Sequence, residues 1–465
     1  MRRTVPMPAS PPGPRRVVLL DVEQPLPVLT ADDRYHAAMV IGRRAGVPSG
    51  AVDVDLDAGA ERIHARLAVL TNTSGTDNHD TQGAVPPIGP NRAILEEAGL
   101  PGLSVVVPTV VSRVADLALL LDGLTAAAYA GVEILLVDNR PELPAADPLP
   151  ALIAGHPDVR VIRESQPGIS AARNAGVLAA RYDIIAFTDD DVRVDADWLR
   201  AIGRRFAADP ALDAVTGLIL PAELETPAQI WFERYYGGFG GERNFSPVTV
   251  RAERATGPLR HSRATVRDDT GHPLREFAIY GIGAYGAGAN MAFRRSAMQR
   301  LGLFDTALGT GTPARGGEDL AMLVAVLWSG GKIGYEPSAV VHHRHRREWP
   351  ELLHQLQGNG LGFTAMLSSV VLADRRHLLS LAHQVPVAVR RLTSQSVRRL
   401  IGRAPDREVS DLDAAYPRQL VLSELRGYPR GPLAYLRSRR QGRIWRGGNP
   451  VAPRRLSGLA AAGSR

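Results

Sequence analysis

The chain has 465 residues, of which 45% are hydrophobic and 22% charged, and its formal net charge is +7. This composition excludes a disordered or fibrous protein, and the length indicates two or three domains rather than one. The absence of cysteine excludes disulfides, thiolate metal sites and a cysteine nucleophile, so any metal ion must be bound by carboxylate or imidazole groups.

The N-terminal region divides into three predicted segments. Residues 1–15 are rich in proline and are predicted to be disordered, whereas residues 16–70 contain apolar runs that indicate a small α/β unit. Residues 71–98 are dense in turn-forming residues, which predicts a linker. The apolar run Val17–Leu20 is too short for a secretory signal, so we expect a cytoplasmic protein.

A strand–helix–strand pattern begins at Leu103. The β-branched run LSVVVPT, a helical pattern over residues 114–128 and the run VEILLVDN predict a parallel sheet in a domain spanning residues 99–350. A helix with Ser170 as its N-cap and the strand DIIAFTDDD follow. The polar stretch Glu242–Glu276 is predicted to be an inserted loop.

Three consecutive aspartates, Asp189, Asp190 and Asp191, follow a predicted buried strand. Open α/β sheets place their ligand crevice at the carboxyl ends of the strands. Adjacent carboxylates repel one another unless a cation or hydrogen-bond donors compensate them, and a hard divalent ion is the natural cation. The simpler interpretation is a solvated turn whose aspartates cap a helix.

A second acidic pair, Glu318 and Asp319, follows a glycine-rich loop and begins a helical run. Acidic residues at a helix start commonly serve only as caps and macrodipole partners. A carboxylate facing a metal-bound phosphate could instead be the general base that deprotonates an attacking hydroxyl. A histidine cluster also follows a strand-like run, at His342, His343 and His345. It could either complete an Asp/His metal site or belong to the surface.

The C-terminal region, residues 351–465, accounts for the protein's net positive charge. From Val371 onwards the chain has 19 arginines and 6 acidic residues, which leaves a net charge of −6 for the rest. We predict an arginine-rich helical extension, with two open roles: peripheral attachment to the inner face of an anionic membrane, or a solvated extension of the preceding domain. The longest uncharged stretch, Gly358–Ala373, is too short to span a bilayer.

Five motifs occur in an order that resembles the family 2 glycosyltransferases of the GT-A fold. They are VVVPTVVSR, VDN, GISAARNAGV, FTDDD and GGED, and the resemblance runs from about Leu103 to about Arg346. It implies an α/β fold with a Rossmann-like mixed sheet flanked by helices, preceded by the small N-terminal α/β unit and followed by the basic helical extension. Family members are inverting enzymes that use nucleotide-sugar donors and a metal-binding D-x-D motif.

The resemblance also implies roles for individual residues. Asp189, Asp191 and His343 would bind the metal, although the adjacent His342 leaves the histidine register open by one. Asp319 would be the catalytic base, with Glu318 beside it. The residues implied at the donor are Pro108, Thr109 and Asp138 at the nucleoside, Arg113 as their neighbour, Asp190 near the ribose, and Arg173 near the diphosphate or bracing the aspartates.

The implied function is a metal-dependent inverting transfer with Mn²⁺ or Mg²⁺ as cofactor. A sugar would move from a nucleotide-diphospho-sugar donor to a hydroxyl of a glycan, lipid-linked or small-molecule acceptor. Gln355 and Gln357 lead into QGNGLGF, unlike the Q-x-x-R-W motif and membrane helices of processive relatives, so addition of a single sugar is expected.

Two other classes of function remain for comparison. One is a non-catalytic GT-A scaffold whose basic tail binds anionic lipid or nucleic acid. The presence of every acidic motif argues against it, and nucleic acid is not expected as a partner. The other is a nucleotidyltransferase, which is disfavoured because the chain lacks a glycine-rich, arginine-containing phosphate loop after its first strand.

Overall fold

The computed structural model describes residues 11–71, 99–127, 129–239, 243–253, 262–384 and 417–448. Residues 1–10, in the segment predicted to be disordered, and residues 72–98, in the predicted linker, lie outside this described part of the chain. Those two predictions therefore stay predictions.

The N-terminal unit is a three-stranded sheet backed by one helix. It contains β1 (Arg15–Asp21), β2 (Ala37–Arg44), β3 (Val47–Asp55) and α1 (Ala60–Thr71). β1 runs parallel to β2, whereas β2 and β3 form an antiparallel hairpin. The expected small α/β unit is therefore present. Met39 and Ile41 of β2 pack with Leu218 and Leu220 of the central domain.

An eleven-stranded mixed sheet forms the centre of the protein. Its strands are β4 (Leu103–Thr109), β5 (Val132–Asp138), β6 (Val159–Arg163), β7 (Ile184–Phe187), β8 (Val192–Val194), β9 (Ala214–Pro221), β10 (Val248–Ala252), β11 (Arg263–Asp268), β12 (Pro273–Ala278), β13 (Met291–Arg294) and β14 (Lys332–His343). They are ordered β12-β11-β10-β14-β9-β13-β7-β4-β5-β6, and β8 pairs with β14.

Helices cover both faces of this sheet. They are α2 (Val114–Ala126), α3 (Leu149–Ala154), α4 (Ile169–Ala179), α5 (Trp198–Ala208), α6 (Pro227–Tyr236), α7 (Arg295–Leu301) and α8 (Glu318–Trp328), with a 3-10 helix at Ile279–Tyr285. Every residue of β4 is buried. Burial on both faces explains the uninterrupted apolar run LSVVVPT, and the predicted parallel pairing of β4 with β5 is confirmed.

The prediction of an inserted loop over Glu242–Glu276 is wrong. β10 pairs antiparallel with both β11 and β14, and β12 extends this edge of the sheet. Val248, Val250 and Ala252 are buried, whereas Arg251 between them is exposed. β10 therefore has the period of two expected for a half-buried strand, and the high charge density of the stretch hid that pattern.

The prediction of Ser170 as a helix N-cap is also wrong. The N-cap of α4 is Gly168, whose φ of 122° favours glycine. Ser170 lies inside the first turn and is fully buried, and its hydroxyl donates a hydrogen bond to the carbonyl oxygen of Leu308 at 2.9 Å. The serine therefore ties α4 to the loop that precedes α8.

The described C-terminal region is helical, as the sequence predicted. It contains α9 (Trp349–Ala373), α10 (residues 376–384), α11 (Arg418–Gly427), a 3-10 turn (Tyr428–Arg430) and α12 (Gly431–Gly448). Within these and the other described helices, none is both long and apolar enough to cross a membrane. Residues 385–416 and 449–465, which hold much of the predicted membrane-attaching segment, lie outside the described residues, so that role stays a prediction.

We expect Gly427→Ala to destabilise the contact between α9 and α11. A Cβ at Gly427 would overlap the carbonyl oxygen of Gln357 and would lie 2.6 Å from the amide nitrogen of Leu361, both backbone atoms of α9. Overpacking of this kind costs about 1–3 kcal/mol. The measurement is the free energy of unfolding. Gly442→Ala in α12 is the matched control, because nothing lies within 4 Å of its Cβ position and alanine should add up to about 1 kcal/mol of stability. Equal stability of the two variants would contradict this packing.

Candidate active site

The three aspartates follow the short strand β7 at its carboxyl end. The chain then forms β8, which pairs antiparallel with the end of β14 and places Val192 opposite His343. This pairing brings a histidine that is distant in sequence next to the aspartates. The site therefore lies at the edge of the sheet where the parallel strands end, as the sequence predicted.

Asp189, Asp191 and His343 form a group that could hold a metal ion. One possible ligand atom from each lies within 4.8 Å of the other two. His343 Nε2 is 3.3 Å from Asp191 Oδ1 and 4.0 Å from Asp189 Oδ2. His342 instead lies opposite Arg193 in the β8–β14 pairing. The structure thus brings His343, and not His342, to the aspartates.

The chemistry of this donor set fits Mn²⁺ or Mg²⁺. Carboxylates suit both ions, which fill their remaining positions with water and phosphate oxygens. Burial raises the pKa of Asp189 against the opposing charge of Arg173, and the nearby Asp191 adds to the rise. A divalent ion between the carboxylates would relieve that repulsion. His343 Nδ1 is buried and has no hydrogen-bond partner in the described part of the chain, so only Nε2 is directed at the aspartates.

Two arginines flank Asp191 on the other side. Arg113 donates a hydrogen bond to Asp191 Oδ2 at 2.5 Å, and the Arg346 guanidinium lies 3.6 Å from the same oxygen. Both side chains are about one-third exposed. Arg113 was expected beside the nucleoside, whereas the structure places it at the aspartates. Arg346 was not predicted as a site residue, although it follows the histidine cluster by one residue.

Thr109 and Asp190 contact each other at the end of β4. The Thr109 hydroxyl donates to Asp190 Oδ2 at 2.6 Å, and burial raises the pKa of Asp190 to about 6. Pro108 is buried within β4, opposite Val137 of β5. In the sheet, β4 lies between β7 and β5. Pro108 and Thr109 therefore lie, with the Asp190 side chain, on the side of Asp189 and Asp191 that faces β5.

Asp138 ends β5 and is held by two arginines. Arg140 donates to both of its carboxylate oxygens at 2.8 Å, and Arg163 lies 2.8 Å from Oδ2. Burial would raise the pKa of Asp138, but the hydrogen bonds from Arg140 lower it. Arg140 also contacts Asp147 at 2.8 Å. The sequence analysis missed Arg140, although it stands two residues after Asp138 in the run VDNR.

The acidic pair of α8 divides into two different environments. Glu318 is buried and accepts a hydrogen bond from Arg173 at 2.7 Å, and burial together with the nearby Asp319 raises its pKa to about 7. Asp319 is half-buried and accepts hydrogen bonds from the backbone N–H groups of Gly288 at 2.8 Å and Leu320 at 2.7 Å. Its carboxylate is therefore oriented by backbone donors, and among the described residues no ion pair engages it directly.

Arg173 of α4 joins the two acidic groups. Its guanidinium donates to Glu318 Oε1 at 2.7 Å, to Asp189 Oδ1 at 3.2 Å and to the Gly288 carbonyl oxygen at 3.1 Å. The side chain is 1% exposed. The resemblance left two roles open for Arg173, near the diphosphate or bracing the aspartates. Its contact with Asp189 matches the second role.

A cleft of about 1000 Å³ opens over this arrangement. Its lining includes Asp189, His343, Arg173, Glu318 and Asp319, together with residues of α9, of α11 and of the following 3-10 turn. The α9 residues that line it are Pro350, Glu351, His354, Gln355, Gly358, Asn359, Gly362 and Phe363. The sequence analysis assigned no site residue to α9, because its helical pattern alone does not show what the polar face meets.

His345 belongs to a separate buried cluster beneath the site. Its Nε2 is 2.6 Å from Glu233 Oε1, and Glu233 also contacts Arg243. The ring of Phe239 packs against both histidines, 4.5 Å from His343 and 5.7 Å from His345 by ring centroids. His345 is thus engaged by Glu233 and does not join the potential metal ligands.

Comparisons with known proteins found a family model and a curated relative that resemble part of this chain. Residues 104–302 match the family model described as glycosyl transferase family 2. The pre-mycofactocin glycosyltransferase of Mycobacterium tuberculosis is 26% identical over 224 residues, which cover 47% of this chain and 39% of that protein. The chain thus spans well under half the length of this relative.

Two solved structures also resemble the protein. One is a mannosyltransferase from Pyrobaculum calidifontis in complex with GDP-Man and Mn²⁺, with a TM-score of 0.44 and 15% identity, covering 72% of this chain and 88% of that one. The other is glucosyl-3-phosphoglycerate synthase from Mycobacterium tuberculosis, with a TM-score of 0.35 and 14% identity, covering 59% of this chain and 80% of that one.

Proposed function

We propose that this chain, a family 2 glycosyltransferase with the GT-A fold, transfers one sugar from a nucleotide-diphospho-sugar to an acceptor hydroxyl with inversion at the anomeric carbon. The observation that carries the proposal is the shared cleft: the potential metal ligands Asp189 and His343 line it together with Asp319. A donor diphosphate at the metal ligands and an acceptor hydroxyl at Asp319 would then meet in one cavity.

The donor half of the site would bind the nucleoside diphosphate. Asp189, Asp191 and His343 would hold Mn²⁺ or Mg²⁺, which supplies charge neutralisation for the diphosphate leaving group. Arg113 and Arg346, next to Asp191, add positive charge on the same side. We assign Pro108, Thr109, Asp138 and Asp190, at the carboxyl ends of the neighbouring strands, to the nucleoside.

The acceptor half would be activated by Asp319. Its carboxylate takes the proton of the acceptor hydroxyl as that oxygen attacks the anomeric carbon from the side opposite the diphosphate. The new carbon–oxygen bond forms as the bond to the phosphate oxygen breaks, and that electron pair leaves with the nucleoside diphosphate. The contact of Glu318 with Arg173 favours Asp319 over Glu318 as the base.

The donor site is tested by thermal unfolding with a panel of nucleoside diphosphates, with and without Mn²⁺. We expect one diphosphate to raise the melting temperature only when the metal is present, because the metal would hold the diphosphate. A ligand at 100 times its Kd stabilises the native state by about 2.7 kcal/mol. Asp191→Ala should lose this stabilisation. Asp158→Ala, at an exposed aspartate before β6, is the matched control and should keep it. Equal stabilisation of wild type and Asp191→Ala would refute the proposed donor site.

A further inference from the structure

Arg315 stands in an unusual backbone conformation beside the acceptor half of the cleft. The loop from Gly309 to Gly317 contains four residues with positive φ, of which three are glycines. The fourth is Arg315, with φ of 61°. A non-glycine residue in the left-handed region is strained, and such residues concentrate at ligand sites. The loop therefore holds one long cationic side chain where glycine would be less strained.

The Arg315 side chain is exposed and lines the cleft. Within the described residues, no hydrogen bond or ion pair engages its guanidinium, whereas its backbone N–H donates to the Thr312 carbonyl oxygen at 3.1 Å. The other two arginines of the cleft lining are paired, Arg173 with Glu318 and Arg346 with Asp191. Arg315 thus differs from them in offering an uncommitted cation to a ligand.

The position of Arg315 assigns it to the acceptor rather than to the donor diphosphate. It lies four residues before Asp319, on the loop that leads into α8. A Cβ at Gly358 of α9 would lie 3.9 Å from the Arg315 Cβ, so glycine leaves room beside the arginine. The potential metal ligands lie instead between β7 and β8 and at the end of β14. An anion bound by Arg315 would therefore sit between the base and α9.

The facing wall of α9 offers hydrogen-bonding groups for hydroxyls. Its lining residues are adjacent pairs that repeat every four positions, from Pro350 and Glu351 to Gly362 and Phe363, so they form one face of the helix. Gln355 and Asn359, one turn apart on this face, carry side-chain amides, and Gln355 Oε1 is buried without a partner among the described residues. The amide of Asn359, whose side chain is exposed, can donate to and accept from sugar hydroxyls. Glu351 and Glu424 also line the cleft.

We propose that Arg315 and the α9 face form an acceptor subsite for a polyhydroxylated compound that carries an oxyanion, either a carboxylate or a phosphate. The guanidinium would bind the oxyanion through its fixed pair of N–H donors. The amides of Gln355 and Asn359 would bind hydroxyls, and the hydroxyl nearest Asp319 would be the one that reacts. This inference rests on the proposed glycosyltransferase function and gives the chemical class of its acceptor.

The test uses the full-length protein with Mg²⁺ and the nucleoside diphosphate that stabilises it. Isothermal titration with inorganic phosphate, glucose 6-phosphate, glucuronate and glucose measures binding. We expect inorganic phosphate to bind, at least one of the two hexose anions to bind more tightly than phosphate, and neutral glucose to bind most weakly. Which hexose anion binds more tightly then distinguishes a phosphate from a carboxylate. No binding of any anion, or glucose binding as tightly as both hexose anions, would overturn the proposal.

Two variants separate anion binding from a structural role of Arg315. Arg315→Gln is expected to weaken anion binding by at least about ten-fold, because a charge-assisted hydrogen bond is lost. Arg315→Gly should lose binding equally while unfolding at no lower temperature, since glycine adopts φ of 61° without a Cβ penalty. Arg375→Gln, at an exposed arginine outside the cleft lining, is the control. Anion binding retained in both Arg315 variants would overturn the assignment.

The same titration run without diphosphate and metal keeps this inference separate from the donor site. Anion binding that depends on Arg315 but persists in a protein that binds no nucleoside diphosphate would contradict the proposed function and leave the anion site intact. Normal diphosphate binding with no Arg315-dependent anion binding would contradict the acceptor subsite alone.

Discussion

Asp319→Asn is expected to lower turnover by about a thousand-fold while donor binding stays near that of the wild type. General bases contribute about 10²–10⁴-fold to rate, and a thousand-fold loss corresponds to about 4 kcal/mol of activation free energy. The amide is nearly isosteric with the carboxylate, and its oxygen can still accept the hydrogen bond from the Gly288 N–H. The measurement is kcat for sugar transfer from nucleotide-sugars that carry the nucleoside diphosphate identified by thermal unfolding.

Two controls make this result specific to proton transfer. Stabilisation by the nucleoside diphosphate and Mn²⁺ should be unchanged in Asp319→Asn, because the potential metal ligands do not include Asp319. Glu336→Gln offers a second acidic position, which is buried on β14 and outside the cleft lining, and should retain turnover. A kcat for Asp319→Asn within ten-fold of wild type would contradict its role as the base.

Much of the metal-binding arrangement is predictable from the sequence, because strand order determines it. Asp189–Asp191 directly follow a buried run, and parallel strands present their carboxyl ends at one edge. The choice between His342 and His343 is not predictable in this way. It depends on the register of β8 against β14, and a shift of one residue would turn the other histidine towards the aspartates.

Contacts between distant elements could not be predicted from the sequence. The sequence predicts a helical C-terminal region, but not that α9 lines the same cleft as Asp319. Likewise, Ser170 has the residue type of an N-cap, but its partner is the Leu308 carbonyl, which only the tertiary fold supplies. The charged strands β10 and β11 were missed for a related reason. The buried alternation of β10 spans only five residues, and in β11 three consecutive buried residues stand between charged ends.

Arg173 links the stability of the fold to the geometry of the site, so its removal should affect both. We expect Arg173→Met to lower the free energy of unfolding by about 3–5 kcal/mol at neutral pH, because it leaves the carboxylates of Glu318 and Asp189 without their buried counter-charge. The measurement is denaturant unfolding. The exposed pair Arg263–Glu276 provides the control, and Arg263→Met should change stability by less than about 1 kcal/mol.

The double variant Arg173→Met/Glu318→Gln tests the cause of this loss. Because glutamine is neutral, only Asp189 would remain uncompensated, and part of the lost stability should return. Mn²⁺ should then stabilise the Arg173→Met protein more than the wild type, since a cation at Asp189 and Asp191 replaces the missing positive charge. Two results together would contradict this cause: equal denaturant midpoints for the single and double variants, and no extra stabilisation of Arg173→Met by Mn²⁺. In that case Arg173 does not act through these carboxylates, and its contribution comes from packing against Phe304.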